Sequence, residues 1–234
     1  MAISQHFYRK IYPHVNAYIA LNQHMASNLR SLGVRAERIH LRSNWVQDPG
    51  ALPPASKIRL LFLGRLDSLK GVHLALDAWQ QSHLSEHAEF LVAGSGPDEK
   101  EIERRCARLP GACFIGFLPP QKHTEVWSQV SAAIVPSIWM EGFPLSAVEA
   151  FARGRTVIAS NRIAAIDEIE NAGGIAVSPT VESWRHCFDS LDLQDLIARG
   201  RQCRAWYESE ASPEVAAREL TALYARLAST ARQT

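Results

Sequence analysis

Two glutamates near the middle of the chain stand beside a segment that could bind an anion. Glu141 and Glu149 are separated by seven residues, and the sequence between them passes from a loop into an apolar, helix-forming stretch. Gly142 and Phe143 place backbone N–H groups at the start of that helix, where the helix dipole favours negative charge. Pro144 suits the first helical position, which needs no N–H donor. The segment predicts an anion site with both carboxylates lining one cavity, although a helix-start acid and an unrelated surface glutamate would give the same pattern.

A second segment supplies two cations beside glycines. Arg65 follows Gly64 at the end of an apolar run, and Lys70 precedes Gly71 at the start of a helical one. A guanidinium can bond a phosphate through two parallel N–H groups, and an ammonium adds a compact charge. These residues therefore suit phosphate, with a solvated loop as the alternative interpretation. A glycine-containing tight turn, residues 94–97, follows the next apolar run.

Short apolar runs alternate with helix-like stretches through the central part of the chain. The runs that predict strands are residues 59–63, 90–93, 113–115, 132–135, 156–159 and 174–177. Helical spacing of apolar residues, or a high content of helix-forming charged residues, predicts helices over residues 72–81, 99–109, 123–130 and 145–153. Strands that are apolar throughout and separated by helices indicate a parallel sheet covered on both faces. The predicted fold class is therefore a doubly wound α/β domain, Rossmann-like, over residues 55–205.

The ligand site of such a sheet is expected at the carboxyl ends of its strands. The loops that follow the predicted strands there are residues 64–71, 94–98, 116–120 and 136–144. The two cations and Glu141 fall in these loops, and Glu149 lies on the helix that follows the last of them. The sequence therefore predicts one site that combines both chemically distinctive segments.

The flanking regions have a different organisation. Residues 1–54 contain strand-like runs at 17–20 and 38–41, a helix over 25–32, and a proline-rich stretch that resembles a linker. This is too little chain to bury a core of its own. Residues 206–234 contain one further amphipathic helix, predicted over 213–227.

Composition excludes several functional classes. Hydrophobic residues make up 47% and charged residues 21%, which is ordinary for a globular chain. A net charge of +1 gives no electrostatic case for nucleic-acid binding. The four cysteines include no C-x-x-C pair, which excludes zinc-ribbon and thioredoxin motifs and suits a reducing compartment. No apolar run approaches the ~18–20 residues that cross a bilayer, and the start of the chain does not resemble a leader. We therefore expect a cytoplasmic protein. Peripheral contact with the inner face of the membrane stays open.

These motifs, taken in order, resemble a known family. The motifs are G-R-x4-K-G from Gly64, G-x-G-P from Gly94, F-x-G from Phe114, the Pro136–Ser137 pair and E-x7-E from Glu141. Together they resemble the C-terminal, donor-binding half of group 1 (family 4) retaining glycosyltransferases, which have the GT-B fold. The resemblance covers residues 15–227 and rests on five motifs in register.

The resemblance implies an activity and a catalytic set. A hexose would be transferred from a nucleoside-diphosphate sugar to a glycan or lipid-linked acceptor, with retention of anomeric configuration. Arg65, Lys70 and Glu141 would be the catalytic residues, with the two cations on the donor diphosphate and Glu141 facing the hexose. Because these cations and the helix start would stabilise the leaving diphosphate, no metal and no cofactor are expected.

The same resemblance implies further donor contacts. Glu149 would accept hydrogen bonds from the ribose hydroxyls, and the loop at Gly116 would border the nucleobase through its backbone. Backbone amides near the sugar and phosphates would come from Gly142, Phe143 and Leu145.

The sequence departs from the family pattern in two side chains and in length. Pro144 stands where many members have glycine, and Trp45 follows Asn44 where a small residue is usual. A first domain of this architecture needs ~150–200 residues, and residues 1–54 resemble only its tail and the interdomain linker. The helix after Pro213 resembles the one that crosses back to the first domain. The chain therefore resembles a member that is truncated, split, or dependent on a partner chain for the acceptor side.

Other functions fit the sequence less completely. A nucleotide-sugar epimerase shares the diphosphate chemistry but not the E-x7-E motif, and a catalytically incomplete nucleotide-sugar-binding domain would need a partner chain. A dehydrogenase is disfavoured because the turn at residues 94–97 lacks the third glycine of G-x-G-x-x-G. The H-x-x-E-H pattern from His83 to His87 falls between predicted elements, so we interpret it as a surface turn rather than a zinc site.

Overall fold

The structure is a computed structural model that describes residues 14–231. Residues 1–13, to which the prediction about a leader segment refers, lie outside that range. The strands, in chain order, are β1 (Tyr18–Ala20), β2 (Ile39–Leu41), β3 (Arg59–Leu63), β4 (Glu89–Ala93), β5 (Ala112–Gly116), β6 (Ala132–Val135), β7 (Thr156–Ser160) and β8 (Ile175–Val177). The helices are α1 (Gln23–Ser31), α2 (Val72–Gln81), α3 (Glu99–Cys106), α4 (Pro120–Gln129), α5 (Leu145–Ala152), α6 (Ile166–Asn171), α7 (Val181–Asp189), α8 (Leu193–Trp206) and α9 (Pro213–Ala231).

Six of the strands form one parallel sheet in the order β5-β4-β3-β6-β7-β8, which confirms the predicted fold class. Chain order runs outward from β3 through β4 to β5, and then returns to the other side of β3 at β6. The side of β3 on which successive strands are added therefore changes between β5 and β6, and a crevice opens at the carboxyl ends of the neighbouring strands β3 and β6.

Apolar residues fill both faces of the sheet, which explains why the strand sequences show no alternation. Adjacent residues of β3 point to opposite faces, so Leu61 belongs to one core cluster and Leu60 to the other. The first cluster includes Phe151 of α5 and Cys203 of α8. The second packs against α2 and α7 and contains Trp79, whose ring lies 5.8 Å from that of Phe188.

Helices α6, α7 and α8 were not predicted individually from the sequence. The α7 stretch does carry the helical signal, since Val181, Trp184 and Phe188 recur at three- and four-residue spacing. Trp184 and Phe188 are buried in the second core cluster. This segment completes the cover of the sheet face on which α2 also lies.

The flanking segments pack together beside the central sheet. Strands β1 and β2 form a separate parallel pair, with Tyr18 opposite Ile39. Arg42, which follows β2, is ion-paired with Glu219 of α9 at 3.2 Å. Segments near the start and the end of the described chain therefore contact each other.

None of the helices within residues 14–231 has both the length and the apolar character needed to cross a membrane.

Candidate functional site

The loops after β3 and β6 meet in the crevice at the carboxyl edge of the sheet. The backbone N–H of Ile138 donates to the Leu69 carbonyl at 3.0 Å, which joins the two loops directly. Gly71 lies against the same junction, since a Cβ atom placed on it would be 2.0 Å from the Pro136 oxygen. The two segments singled out from the sequence are therefore brought together by backbone contact.

The turn after β4 packs tightly under the loop after β3. An added Cβ on Gly94 would lie 1.8 Å from the Gly64 oxygen, and one on Gly96 would lie 2.2 Å from the Leu66 oxygen. Only glycine permits this approach of two backbones. A cleft of about 590 Å³ opens beside them, lined by both loops and by Arg65 and Phe117.

Lys70 and Glu141 form an ion pair across the crevice. The Lys70 ammonium lies 2.8 Å from Glu141 Oε2, and the buried hydroxyl of Ser137 donates to Glu141 Oε1. The backbone N–H of Ala164 fixes the same residue by donating to its carbonyl at 2.8 Å. Glu141 thus orients the Lys70 side chain and partly neutralises its charge. The sequence did not reveal this ion pair.

Arg65 is held much more loosely than Lys70. Its side chain is 68% exposed and contacts Asp67, with Nε 2.9 Å from Oδ2. Asp67 also accepts from the Lys70 backbone N–H at 3.1 Å and so closes the turn before α2. Because exposed ion pairs of this kind contribute little free energy, the guanidinium can reorient toward an anion in the cleft.

Glu149 lies on α5 and contacts a histidine and an arginine rather than Lys70. Its Oε2 is 3.4 Å from His123 Nδ1 and 4.0 Å from Arg153 Nη1. This oxygen is buried, and no residue that the structure describes donates a hydrogen bond to it. A buried acceptor without a donor is costly, so it is suited to a ligand hydroxyl.

The loop between the glutamates is held by its carbonyls. Asn22 Nδ2 donates to the Gly142 oxygen at 2.8 Å, and Asn44 Nδ2 donates to the Phe143 oxygen at 2.6 Å. Within residues 14–231, the N–H groups of Gly142, Phe143 and Leu145 donate to no protein acceptor. The flanking segment around β1 and β2 therefore fixes the loop through its acceptors and leaves its donors for a ligand.

Pro144 occupies a position one residue earlier than the sequence predicted. It is the N-cap of α5, with φ −63° and ψ 130°, and Leu145 is the first helical residue. The prediction of a first-turn proline was wrong because an extended ψ angle at Pro144 turns the chain before the helix begins. The amide of Leu145, rather than the missing one of Pro144, thus opens the helix.

Gly116 ends β5 with φ 70°, a left-handed conformation that favours glycine. Its carbonyl accepts from the Gly94 N–H at 2.8 Å, and no atom lies within 4 Å of the position of an added Cβ. Phe117 follows it and is 69% exposed at the rim of the cleft.

Four side chains around the site were not assigned from the sequence: Asn22, Phe117, His123 and Ser137. Asn22 caps α1 by accepting a hydrogen bond from the Met25 N–H at 2.8 Å. An asparagine just before a helical stretch indicates a helix start but does not indicate a role in the site. Phe117 and Ser137 lie in loops 116–120 and 136–144, which the sequence had placed at this edge of the sheet without a role for either side chain. His123 lies on α4 and meets Glu149 through tertiary packing, which spacing along the chain does not encode.

A doubly wound parallel sheet with an anion-suited crevice at its switch point is the architecture of the donor-binding domain of GT-B glycosyltransferases. Residues 57–191 match the family model described as glycosyl transferases group 1, and the chain belongs to this family.

Relatives and solved structures agree with this assignment. The chain is 22% identical over 237 residues to a putative colanic acid biosynthesis glycosyltransferase, WcaL, of Escherichia coli K12, covering 92% of this chain and 58% of the relative. It is 30% identical over 159 residues to glycogen synthase of Mycobacterium tuberculosis H37Rv, covering 65% and 38%. Sucrose-phosphate synthase of Thermosynechococcus elongatus superposes with a TM-score of 0.78 at 20% identity, covering 94% of this chain and 61% of that one. Anabaena HepE in complex with UDP and glucose superposes with a TM-score of 0.77 at 18% identity, covering 95% and 67%. The chain thus spans less than two thirds of the curated relatives' length.

Proposed function

We propose that this protein is a family 4 retaining glycosyltransferase that moves a hexose from a nucleoside-diphosphate sugar to a glycan or lipid-linked acceptor. The observation that carries the proposal is the meeting of Lys70, Glu141 and the free amides of Gly142, Phe143 and Leu145 at the switch point. Cations, directed N–H donors and a carboxylate suit a ligand that combines a diphosphate with a sugar. Two of the similar proteins support the same class, since one is named for colanic acid biosynthesis and the structure of another holds UDP and glucose.

The catalytic contribution of this side of the cleft would be electrostatic. As the bond between the anomeric carbon and the diphosphate oxygen breaks, negative charge grows on the leaving group. Lys70 and Arg65 are placed to bind that charge, and the amides at the start of α5 add fixed dipoles. With these donors available, the reaction would need no metal and no cofactor.

The remaining donor contacts follow from the two glutamates and from β5. The Oε2 atom of Glu149, which accepts no hydrogen bond from the described residues, would accept hydrogen bonds from the ribose hydroxyls. Glu141, paired with Lys70 on one side, would face the hexose hydroxyls. Gly116 would border the nucleobase through its backbone, with Phe117 beside it at the rim.

We also propose a division of the chain into three parts. Residues 1–54 would belong to the tail of the acceptor-side domain and the linker, residues 55–205 to the donor domain, and residues 206–234 to the crossover helix. The acceptor would bind to a surface outside these residues, supplied by a partner chain or by further sequence. Asn22 and Asn44 would then couple that side to the loop that binds the donor. We place the reaction in the cytoplasm, where a lipid-linked acceptor would be reached at the inner face of the membrane.

A screen of nucleotide sugars tests the proposed function. Thermal unfolding would be followed with UDP, GDP and ADP conjugates, and one base is expected to raise the melting temperature well above the others. A ligand at a hundred times its dissociation constant should stabilise the fold by about 2.7 kcal/mol. With the matching donor and an acceptor pool, NMR of the product's anomeric proton would then test retention. An isomerised nucleotide sugar instead of a transfer product would support the epimerase alternative.

Calorimetry on two conservative variants separates the roles of the glutamates. Glu149→Gln should weaken binding of nucleoside diphosphate and nucleotide sugar alike, by about tenfold, because the ribose is common to both. Glu141→Gln should weaken only the sugar-bearing ligand and leave the diphosphate equally or more tightly bound, since Lys70 loses its competing carboxylate. Equal losses for both variants with both ligands would refute this division.

A further inference from the structure

A second cavity lies at the edge of the sheet opposite the proposed donor site. Its volume is about 220 Å³, and Ser131 and Arg155, which line it, immediately precede β6 and β7. The donor loops follow the other ends of the same strands. Since β6 has four residues, about 13 Å of strand separates the two edges. The cavity is therefore distinct from the cleft that would hold the donor.

The cavity walls are mainly apolar and come from two parts of the chain. Leu52, Pro54 and Ala55 contribute from the linker, whereas Leu196 and Ile197 contribute from α8. An engineered apolar cavity of about 150 Å³ in another protein binds benzene, so the present volume accommodates a ring bearing one polar substituent.

Arg155 is a buried cation in this wall whose charge has no counter-ion. Its side chain donates from Nη2 to the Pro53 carbonyl at 2.8 Å and from Nε to the Trp127 carbonyl at 3.4 Å. The residue is 3% exposed, and no carboxylate of the described residues lies within 4.0 Å of it. Burial lowers the pKa of Arg155 to about 10, which leaves the guanidinium charged at neutral pH. These neutral carbonyls accept from two of its five N–H groups and do not cancel the charge.

Two further arginines line the cavity, and they differ in how their positive charges are balanced. Arg204 is neutralised by Asp48 and Glu208, each at 2.7 Å. Arg201 also lines the cavity but is exposed, so water solvates its charge. The cavity therefore carries one buried guanidinium without a counter-ion among residues 14–231, that of Arg155, beside an apolar interior, and the complementary ligand is an anion with an apolar body.

We propose that this cavity binds a small organic carboxylate with an aromatic or branched apolar body. The carboxylate would meet the guanidinium of Arg155, and the apolar body would pack between the linker and α8. Such a ligand would join the linker to the donor domain and would bind without displacing a ligand from the proposed donor cleft.

The test uses benzoate as the probe, with benzyl alcohol as its neutral analogue and benzamidine as its cationic one. Binding to the whole chain would be measured by ligand-observed NMR and calorimetry, with and without UDP. Benzoate is expected to bind with a dissociation constant of about 1 mM or tighter, at least tenfold more tightly than either analogue. UDP at saturation should leave that value unchanged.

Two variants tie the binding to this cavity. Arg155→Met keeps the side-chain volume and should weaken benzoate binding at least tenfold. Since this change also removes the bond to Pro53, Ala51→Trp provides an independent variant that fills the cavity from an exposed position and should abolish binding. The proposal is overturned if benzoate does not bind at about 10 mM, if benzyl alcohol binds as well, or if Ala51→Trp binds benzoate like the unaltered chain.

Discussion

A chain in which Arg65 and Lys70 are both alanine is expected to bind nucleoside diphosphate about two to four orders of magnitude more weakly than the unaltered chain. Each charge-assisted hydrogen bond to phosphate contributes about 1.5–3 kcal/mol, and the two side chains belong to separate contacts. The loss should fall toward the lower end of this range, because Lys70 must share or exchange its 2.8 Å contact with Glu141 to reach a phosphate. Isothermal titration calorimetry at one fixed ionic strength measures the effect.

The matched control removes the same charge elsewhere. Lys100 and Arg108 are exposed, lie on and just after α3, and form no ion pair with the described residues. The double change Lys100→Ala and Arg108→Ala should therefore leave nucleotide affinity nearly unchanged. Both double variants should unfold at similar temperatures, since none of the four side chains is buried. Undiminished affinity after loss of Arg65 and Lys70 would remove the donor-site assignment altogether.

Replacement of Gly71 by alanine is expected to lower the free energy of unfolding by about 4 kcal/mol or more. This glycine has φ 71°, and an added Cβ would lie 2.0 Å from the oxygen of Pro136 and 2.7 Å from its carbonyl carbon. Relief of that overlap requires the loops after β3 and β6 to separate, which would displace Lys70 from Glu141. For a chain of this size the melting temperature should fall by about 8–16 °C, as measured by circular dichroism.

Gly116→Ala is the control that isolates steric overlap from backbone strain. Gly116 has φ 70°, yet no atom lies within 4 Å of its ideal Cβ position. Its replacement should cost only the left-handed strain of a non-glycine residue, about 1–2 kcal/mol. Equal destabilisation by the two variants would show that the contact with Pro136 has no energetic weight and that the loops are free to separate.

The sequence by itself determined the central sheet and the edge at which the site lies. Residues 59–63 and 72–81 were predicted with the bounds that β3 and α2 have in the structure. Strands buried on both faces must be apolar throughout, and a helix between two layers must repeat its apolar residues every three or four positions. These requirements act on neighbouring residues, so they can be seen in one sequence. The order of motifs likewise indicated the family that the match to residues 57–191 shows.

Only the tertiary structure decided which side chains meet. The sequence paired Glu141 with Glu149 by their spacing, but folding sets Glu141 against Lys70 and Glu149 against His123. The bond from Asn44 to the Phe143 carbonyl joins the flanking segment to the loop between the glutamates. Such contacts depend on strand order, on helix orientation and on the path of the linker. Spacing along the chain specifies none of these, because residues distant in sequence come together only when the sheet closes around its core.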